Sequence, residues 1–207
     1  MVQKVIVLNR KEVDSLPLDM LTQYISFSQE HVKFFLAPSG KEVYKLLASV
    51  SKQLDIGTVV SDIGTYIGSS ALALSFNDGI KVHTYDPVSH IPSAQNVSTI
   101  LSRMNIKRTV VSGQAVLSKI AESMVVFLDI DPHDGIEETK IMNKLIDLGF
   151  KGLLIVDNIN CNKRMKHFWE TVPKDMKKID VTHIGHWIGT GIIVYDPNVI
   201  DVIVEDS

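Results

Sequence analysis

The sequence predicts an α/β protein built on a parallel, doubly wound sheet with helices on both faces. Three observations carry that prediction. From Val60 onward, short β-rich runs alternate with amphipathic helical patterns, an order that closes as a parallel sheet. The first of those runs ends in an acid and turns on glycine into a helix, in Ser61-Asp-Ile-Gly-Thr-Tyr-Ile-Gly-Ser-Ser-Ala-Leu-Ala-Leu74. The 207 residues, 45% apolar and 22% charged, suit one domain with a continuous core.

Taken in order, residues 1–37 are expected to form an extension or lid, with one or two short helices between Leu18 and Phe35, and residues 38–207 the ligand-binding core. Ser39-Gly-Lys-Glu42 has the spelling of a capping box and predicts a helix start, with Val43, Leu46, Leu47, Val50 and Leu54 on one face. Strands are predicted at 58–62, 81–86, 108–112, 125–129 and 153–157, each a short β-rich run beside a helical pattern. The intervening helices are predicted at 69–76, 94–104, 114–122 and 137–148, followed by one at 162–171. Two last β-rich runs, 178–184 and 190–195, are joined by Gly185-His-Trp-Ile-Gly189 and read as an antiparallel hairpin at one sheet edge.

Bulk properties exclude several classes. A net charge of −3 argues against a nucleic-acid partner. The basic residues Lys163, Arg164, Lys166, Lys174, Lys177 and Lys178 read as solvated surface. Cys161 is the one cysteine, so no internal disulfide forms and a reducing compartment is compatible. Val5–Leu8 is too short an apolar run for a signal-peptide core, and no segment approaches the ~20 apolar residues of a membrane span. A soluble, cytoplasmic protein without a membrane partner is expected; a homodimer contact is one role open to residues 1–37.

The predicted strands end in acids on one rim: Asp62, Asp86, Asp129 and the pair Asp157-Asn158. In open α/β sheets that rim is where ligands bind. Gly64 and Gly68 give the spacing D-x-G-x-x-x-G, neither the G-x-G-x-x-G of dinucleotide enzymes nor a P-loop. Such a turn presents backbone amides and a helix N-terminus to a ligand, with a carboxylate alongside. One strand-terminal Asp is commonly a cap or turn residue. Several converging acids need a cation or hydrogen-bond donors to offset their repulsion. Asp86, at the tip of the strand beside the glycine turn and fixed by Pro87, suits a ribose diol. The amide of Gln114 suits an adenine, although a surface turn is equally compatible.

Together, Asp62-Ile-Gly-Thr-Tyr-Ile-Gly-Ser-Ser-Ala71, Asp86, Asp129-Ile-Asp131 and Asp157-Asn158 resemble the motifs of class I methyltransferases that use S-adenosylmethionine (SAM). The resemblance is to the metal-dependent O-methyltransferases, both the catechol O-methyltransferase-like group and the sugar and macrolide group, over residues 56–195. It implies a Rossmann-like, seven-stranded, mainly parallel sheet with a reversed final strand. It also implies SAM as cofactor, with Asp62, Gly64, Thr65, Tyr66, Gly68, Ser69 and Ser70 around the methionine part. Asp86 would hold the ribose, and Gln114 and Asp129 would complete the cofactor site. Mg²⁺ or another divalent cation is implied on Asp129, Asp157 and Asn158, as Lewis acid and template.

There is one departure. The catechol and caffeoyl-CoA enzymes carry a Lys base where this chain has Pro132. The Asp-x-Asp spelling is that of the sugar enzymes, so Asp131 is the expected base and His133 the second candidate. The expected acceptor is a sugar hydroxyl, in a glycan or a glycosylated small molecule. A catechol or phenol acceptor, and a non-catalytic SAM- or nucleotide-binding module, are the alternatives. His186 and Trp187 fall in the predicted turn before the last strand, near an acceptor, with Trp187 equally suited to covering the sheet end.

Overall fold

The computed structural model describes residues 3–24, 28–86, 107–108 and 114–205. The chain begins with β1 Lys4–Asn9, α1 Arg10–Asp14, a 3-10 helix at Leu18–Tyr24, α2 Gln29–Phe35 and α3 Tyr44–Gln53. The alternating part follows as β2 Val59–Ile63, α4 Ser69–Leu74, β3 Lys81–Tyr85, β4 Lys107–Arg108, α5 Gln114–Ile120 and β5 Val125–Leu128. It continues with α6 Ile136–Asp147, β6 Leu153–Asp157, α7 Lys163–Thr171, β7 Lys177–Asp180, β8 Thr190–Val194 and β9 Ile200–Glu205.

The main sheet has the order β4-β3-β2-β5-β6-β8-β7. From β4 to β6 all neighbours are parallel, and β8 runs antiparallel to both β6 and β7. Every residue of β5, β6 and β8 is buried. That is why these strands are nearly continuous apolar runs rather than alternating ones: helices cover both faces. On one face Val60, Phe127, Ile155 and Ile192 pack with α3 and α4. On the other, Val126, Leu154 and Val156 pack with Ile120 of α5, Leu145 of α6 and Phe168 of α7. The strand order reverses beside β2, which places a crevice beyond the carboxyl ends of β2 and β5.

Three features depart from the sequence reading. The first is a pair of strands that pattern alone did not reveal. Val5–Leu8 belongs to β1, which pairs in parallel with β9 from Lys4↔Ile200 to Asn9↔Glu205. The last strand of the chain is therefore β9, in a separate two-stranded sheet, and β8 precedes it. Ile6, Leu8, Val13, Leu18 and Phe35 are buried in the same core as Val60 and Val125, so the N-terminal region shares the main core.

The second is the capping box, which does not form. Lys41 N–H donates to Pro38 C=O at 3.1 Å, Gly40 has φ +76°, and Ser39 N–H is held by Asp14 at 2.7 Å. Pro38 and Gly40 set a turn instead, and α3 begins at Tyr44 with Val43 as a cap that makes no side-chain bond. Glu42 is thereby released from a capping role.

Strand 178–184 also stops early, at Asp180. The Asp180 carboxylate takes the Thr182 N–H, and both Ile184 and Gly185 donate to Val181 C=O, so residues 181–189 form a tight loop. Of the strand predicted at 108–112 only Arg108 is described, and the helix predicted at 94–104 lies outside the described residues. Among the described residues no helix is long and apolar enough to cross a membrane.

Candidate functional site

The site is assembled from the residues that follow β2, β3, β5 and β6. Beyond β2 the ladder continues for one step, with Gly64 N–H donating to Tyr85 C=O at 2.8 Å. Gly64 has φ +98°, and a Cβ on it would lie 1.6 Å from the Asp129 carbonyl oxygen. Only glycine allows the turn to rest on the backbone that follows β5. The next residues wrap over the tip of β3, where Tyr66 N–H donates to Asp86 Oδ2 at 2.7 Å. Gly68, at φ +91°, then starts α4, whose first-turn residues Ser69 and Ser70 are buried.

Asp62 lies beneath this turn and is fully buried. Its Oδ2 accepts from the Thr84 hydroxyl at 2.7 Å, and the Thr84 hydroxyl also meets that of Thr65. Among the described residues its Oδ1 has no partner at hydrogen-bond geometry. Burial pushes the Asp62 carboxyl up to about 7, the Thr84 and Ser70 hydroxyls working against the rise and the Asp86 charge adding to it.

The opposite side is a hydrogen-bonded network of acids, amide and imidazoles. Asn158 Nδ2 donates to Asp129 Oδ1 at 3.3 Å and lies 3.3 Å from His133 Nε2. Asp157 accepts from the Thr190 hydroxyl at 2.9 Å and faces His186 Nδ1 at 3.0 Å. Glu42 reaches to 4.0 Å from the other nitrogen of that ring. Burial, followed by the charges of Asp157 and Asp62, raises the Asp129 carboxyl above the usual carboxylate range. Burial disfavours the charged His186 ring, yet the Asp157 hydrogen bond and charge, with Glu42 and Asp129, raise it overall. Among the described residues the non-glycine positions with positive φ are Tyr66, His133 and Asn158. All three line one pocket of about 520 Å³, where backbone strain accompanies a built site.

That pocket joins the two sides. Of the expected residues it is lined by Gly64, Tyr66, Asp86 and Asp129, and by Asp131, His133, Asp157 and Asn158. Asp62, Thr65, Ser69 and Ser70 are buried around it rather than lining it, and Gly68 caps α4. The structure separates the two candidate bases. Asp131 is 99% exposed at its side chain, whereas His133 is 23% exposed and 3.6 Å from the Asp131 carboxylate. Asn162 Nδ2 donates to His133 C=O at 2.8 Å and fixes that turn. Gln114 opens α5, and its side chain lies outside the described residues.

Three lining residues were not foreseen: Glu42, Val43 and Tyr44, all just before or at the start of α3. The sequence signal was the Pro38 and Gly40 pair, which favours a turn over a capping box and leaves Glu42 unengaged.

The donors are of the right chemistry for a hard cation: two carboxylates and an amide, all on one pocket wall. The Asp157 charge raises the cost of ionising Asp129, which a cation would relieve. The bonds from Thr190 and His186 to Asp157 leave a lone pair on each oxygen and resemble the support that ligating carboxylates receive. Among the described residues no three His, Cys, Asp or Glu side chains gather as a metal cage. The candidate set has two carboxylates, a number Mg²⁺ commonly takes while keeping its waters.

No family model and no curated sequence matches the chain. Solved structures do. The chain is similar to a candidate caffeoyl-CoA O-methyltransferase from Staphylococcus aureus, with 14% identity and a TM-score of 0.57, over 89% of this chain and 94% of that one. It is similar to the cofactor-bound protein Rv0187 from MTB, with 17% identity and a TM-score of 0.51, over 90% and 86% of the two chains. A methyltransferase from Geobacter sulfurreducens matches at 16% identity and a TM-score of 0.50, over 86% of each. The likeness shows the fold, an α/β architecture shared with these methyltransferase structures.

Proposed function

We propose that this protein is a SAM-dependent O-methyltransferase that methylates a hydroxyl group of a small-molecule or glycan acceptor, assisted by a divalent cation. The observation that carries the proposal is one pocket with two chemically different walls. The glycine turn and Asp86 form one, and the acids, amide and imidazoles after β5 and β6 form the other.

SAM supplies an electrophilic methyl group when bound. The chain's own residues supply position. Gly64 lets the turn lie flat on the Asp129 backbone, which sets the turn at the pocket wall. The Tyr66 amide orients Asp86 for a ribose diol, and Asp62 Oδ1 offers a buried acceptor below the turn. Asp129, Asp157 and Asn158 would hold the cation, which would act there as a Lewis acid on the acceptor oxygen.

Proton removal falls to the Asp131–His133 pair. His133 is the half-buried member, held at its backbone by Asn162, and Asp131 stands on its solvent side. We assign the proton to His133, whose Nε2 faces Asn158 and Asp129, with the Asp131 carboxylate beside it to favour the protonated ring. Orienting the hydroxyl against the methyl group supplies much of the rate in such a transfer. A sugar is the preferred acceptor, because hydroxyls match a wall rich in carboxylate, amide and imidazole.

Incubation with SAM, Mg²⁺ and a panel of sugars and phenols, read by mass spectrometry, tests the reading. A gain of one methyl on a sugar is expected. Methylation of catechols alone would replace the sugar by a phenol, and NAD⁺ binding without SAM binding would sink the methyltransferase reading.

A further inference from the structure

Trp187 is one of two tryptophans in the chain, and it is 64% exposed. Single exposed apolar residues are ordinary. What sets this one apart is that it stands on a fixed turn at the edge of the pocket. Gly189 N–H closes the turn onto His186 C=O at 2.9 Å. Ile159 and Asn160 donate to the carbonyls of Gly189 and Ile188 at 3.2 and 3.0 Å, and His186 N–H is taken by the Thr190 hydroxyl at 2.8 Å. The indole is thus carried into water by a tied backbone, which lowers the cost of presenting it to a ligand.

Its neighbours define what that ligand is. The His186 ring meets the indole edge-on, with centroids 6.2 Å apart and planes at 89°. His186 in turn lines the pocket between Asp157 and Glu42. The indole therefore continues the acceptor wall outward, past a histidine, from two carboxylates that accept hydrogen bonds. Among the described residues the aliphatic lining of the pocket is confined to Val43 and Ile130, beside the rings of Tyr44 and Tyr66, and carboxylates, an amide and imidazoles make up the rest of its side chains. A pyranose ring offers the matching surface: a C–H face for an indole and a rim of hydroxyls for carboxylates.

We propose that Trp187 and Glu42 form the acceptor subsite, with the indole stacked on the C–H face of a sugar ring whose hydroxyls donate to the Glu42 carboxylate. This rests on the methyl-transfer reading for the sugar's role as acceptor, but binding is testable without turnover. Glu42 is available because the capping box is not formed, and its carboxylate lies within the same pocket as Asp86.

The experiment is tryptophan fluorescence of the intact chain with methyl glycosides of glucose, galactose, mannose, xylose, rhamnose and fucose, each with and without SAM. A saturable emission change with at least one glycoside is expected, absent from Trp187→Phe, where only Trp169 reports. Calorimetry should show the same glycoside weakened about tenfold or more by Trp187→Ala and by Glu42→Gln, with SAM affinity unchanged in both. A response to catechol but to no glycoside would overturn the sugar assignment. No response to any glycoside, with SAM still bound, would overturn the subsite and leave the methyltransferase reading standing. A glycoside response in a chain that does not bind SAM would support the subsite and remove the methyltransferase reading.

Discussion

Asp62 ties the chemistry of the site to the stability of the chain. Its folded-state carboxyl is raised to about 7, above its value in an unfolded chain. The folded state therefore binds more protons than the unfolded state between about pH 4 and 7. Stability attributable to this group falls as pH rises through that window and is flat above it. Asp62→Asn should remove that slope and make the ligand-free protein more stable than wild type at pH 8, as read by urea unfolding at several pH values. A variant with an unchanged slope would show that another group carries it. The base assignment is also a matter of single residues. His133→Ala should lower kcat by roughly 10²-fold or more, and Asp131→Asn by less, since a positioned base contributes about 10²–10⁴-fold. A larger loss in Asp131→Asn would return the proton to the aspartate.

At this scale most of the site was legible in the sequence. Acids at strand ends and glycines in the first turn have local causes, so Asp62, Gly64, Asp86, Asp129 and Asp157 fall on the expected rim. The exposure of Asp131 against the half-burial of His133 was not legible. It depends on Asn162, twenty-nine residues away in sequence, holding the turn.

The elements were legible where periodicity and turn residues agree. The alternating strands and helices from β2 to β8 lie within a few residues of their predicted bounds wherever they are described. Misreadings came where one local signal met a distant partner. Ser39 spells a cap, yet its backbone is claimed by Asp14, and the strand after Lys177 ends when Asp180 takes a nearby amide. β1 and β9 each lack a strong pattern, and they become strands by pairing with each other across almost the whole chain.

That pairing makes the N-terminal region part of the fold's stability. Leu8 is fully buried, and Leu8→Ala should destabilise the protein by about 2–5 kcal/mol, measured by chemical denaturation. A loss under about 1 kcal/mol would show that the β1–β9 sheet is peripheral. The glycine turn is the other element under test. Gly64→Ala places a methyl on the Asp129 carbonyl and should abolish SAM binding while destabilising the chain by on the order of 3 kcal/mol. Normal SAM affinity in that variant would contradict the tight turn.

For the molecule as a whole, the sheet order puts one crevice beyond the strands, and the long-range pairings bring the start of α3 to its mouth. Fold class and the glycine-turn wall follow from repeated local patterns, whereas the opposite wall is built from segments far apart: Glu42, His133, Asn158 and His186. If a divalent cation sits on Asp129, Asp157 and Asn158, EDTA should remove most of the turnover and Mg²⁺ should restore it. Turnover unaffected by EDTA would leave those residues to bind the acceptor directly.

The central claim is that the glycine turn and Asp86 form a SAM site. Calorimetric titration of SAM into wild type and Asp86→Ala tests it most directly. Saturable binding to wild type, weakened about tenfold or more in the variant and not reproduced by NAD⁺, is the predicted result. Absence of SAM binding to wild type, or equal affinity in both proteins, would contradict it.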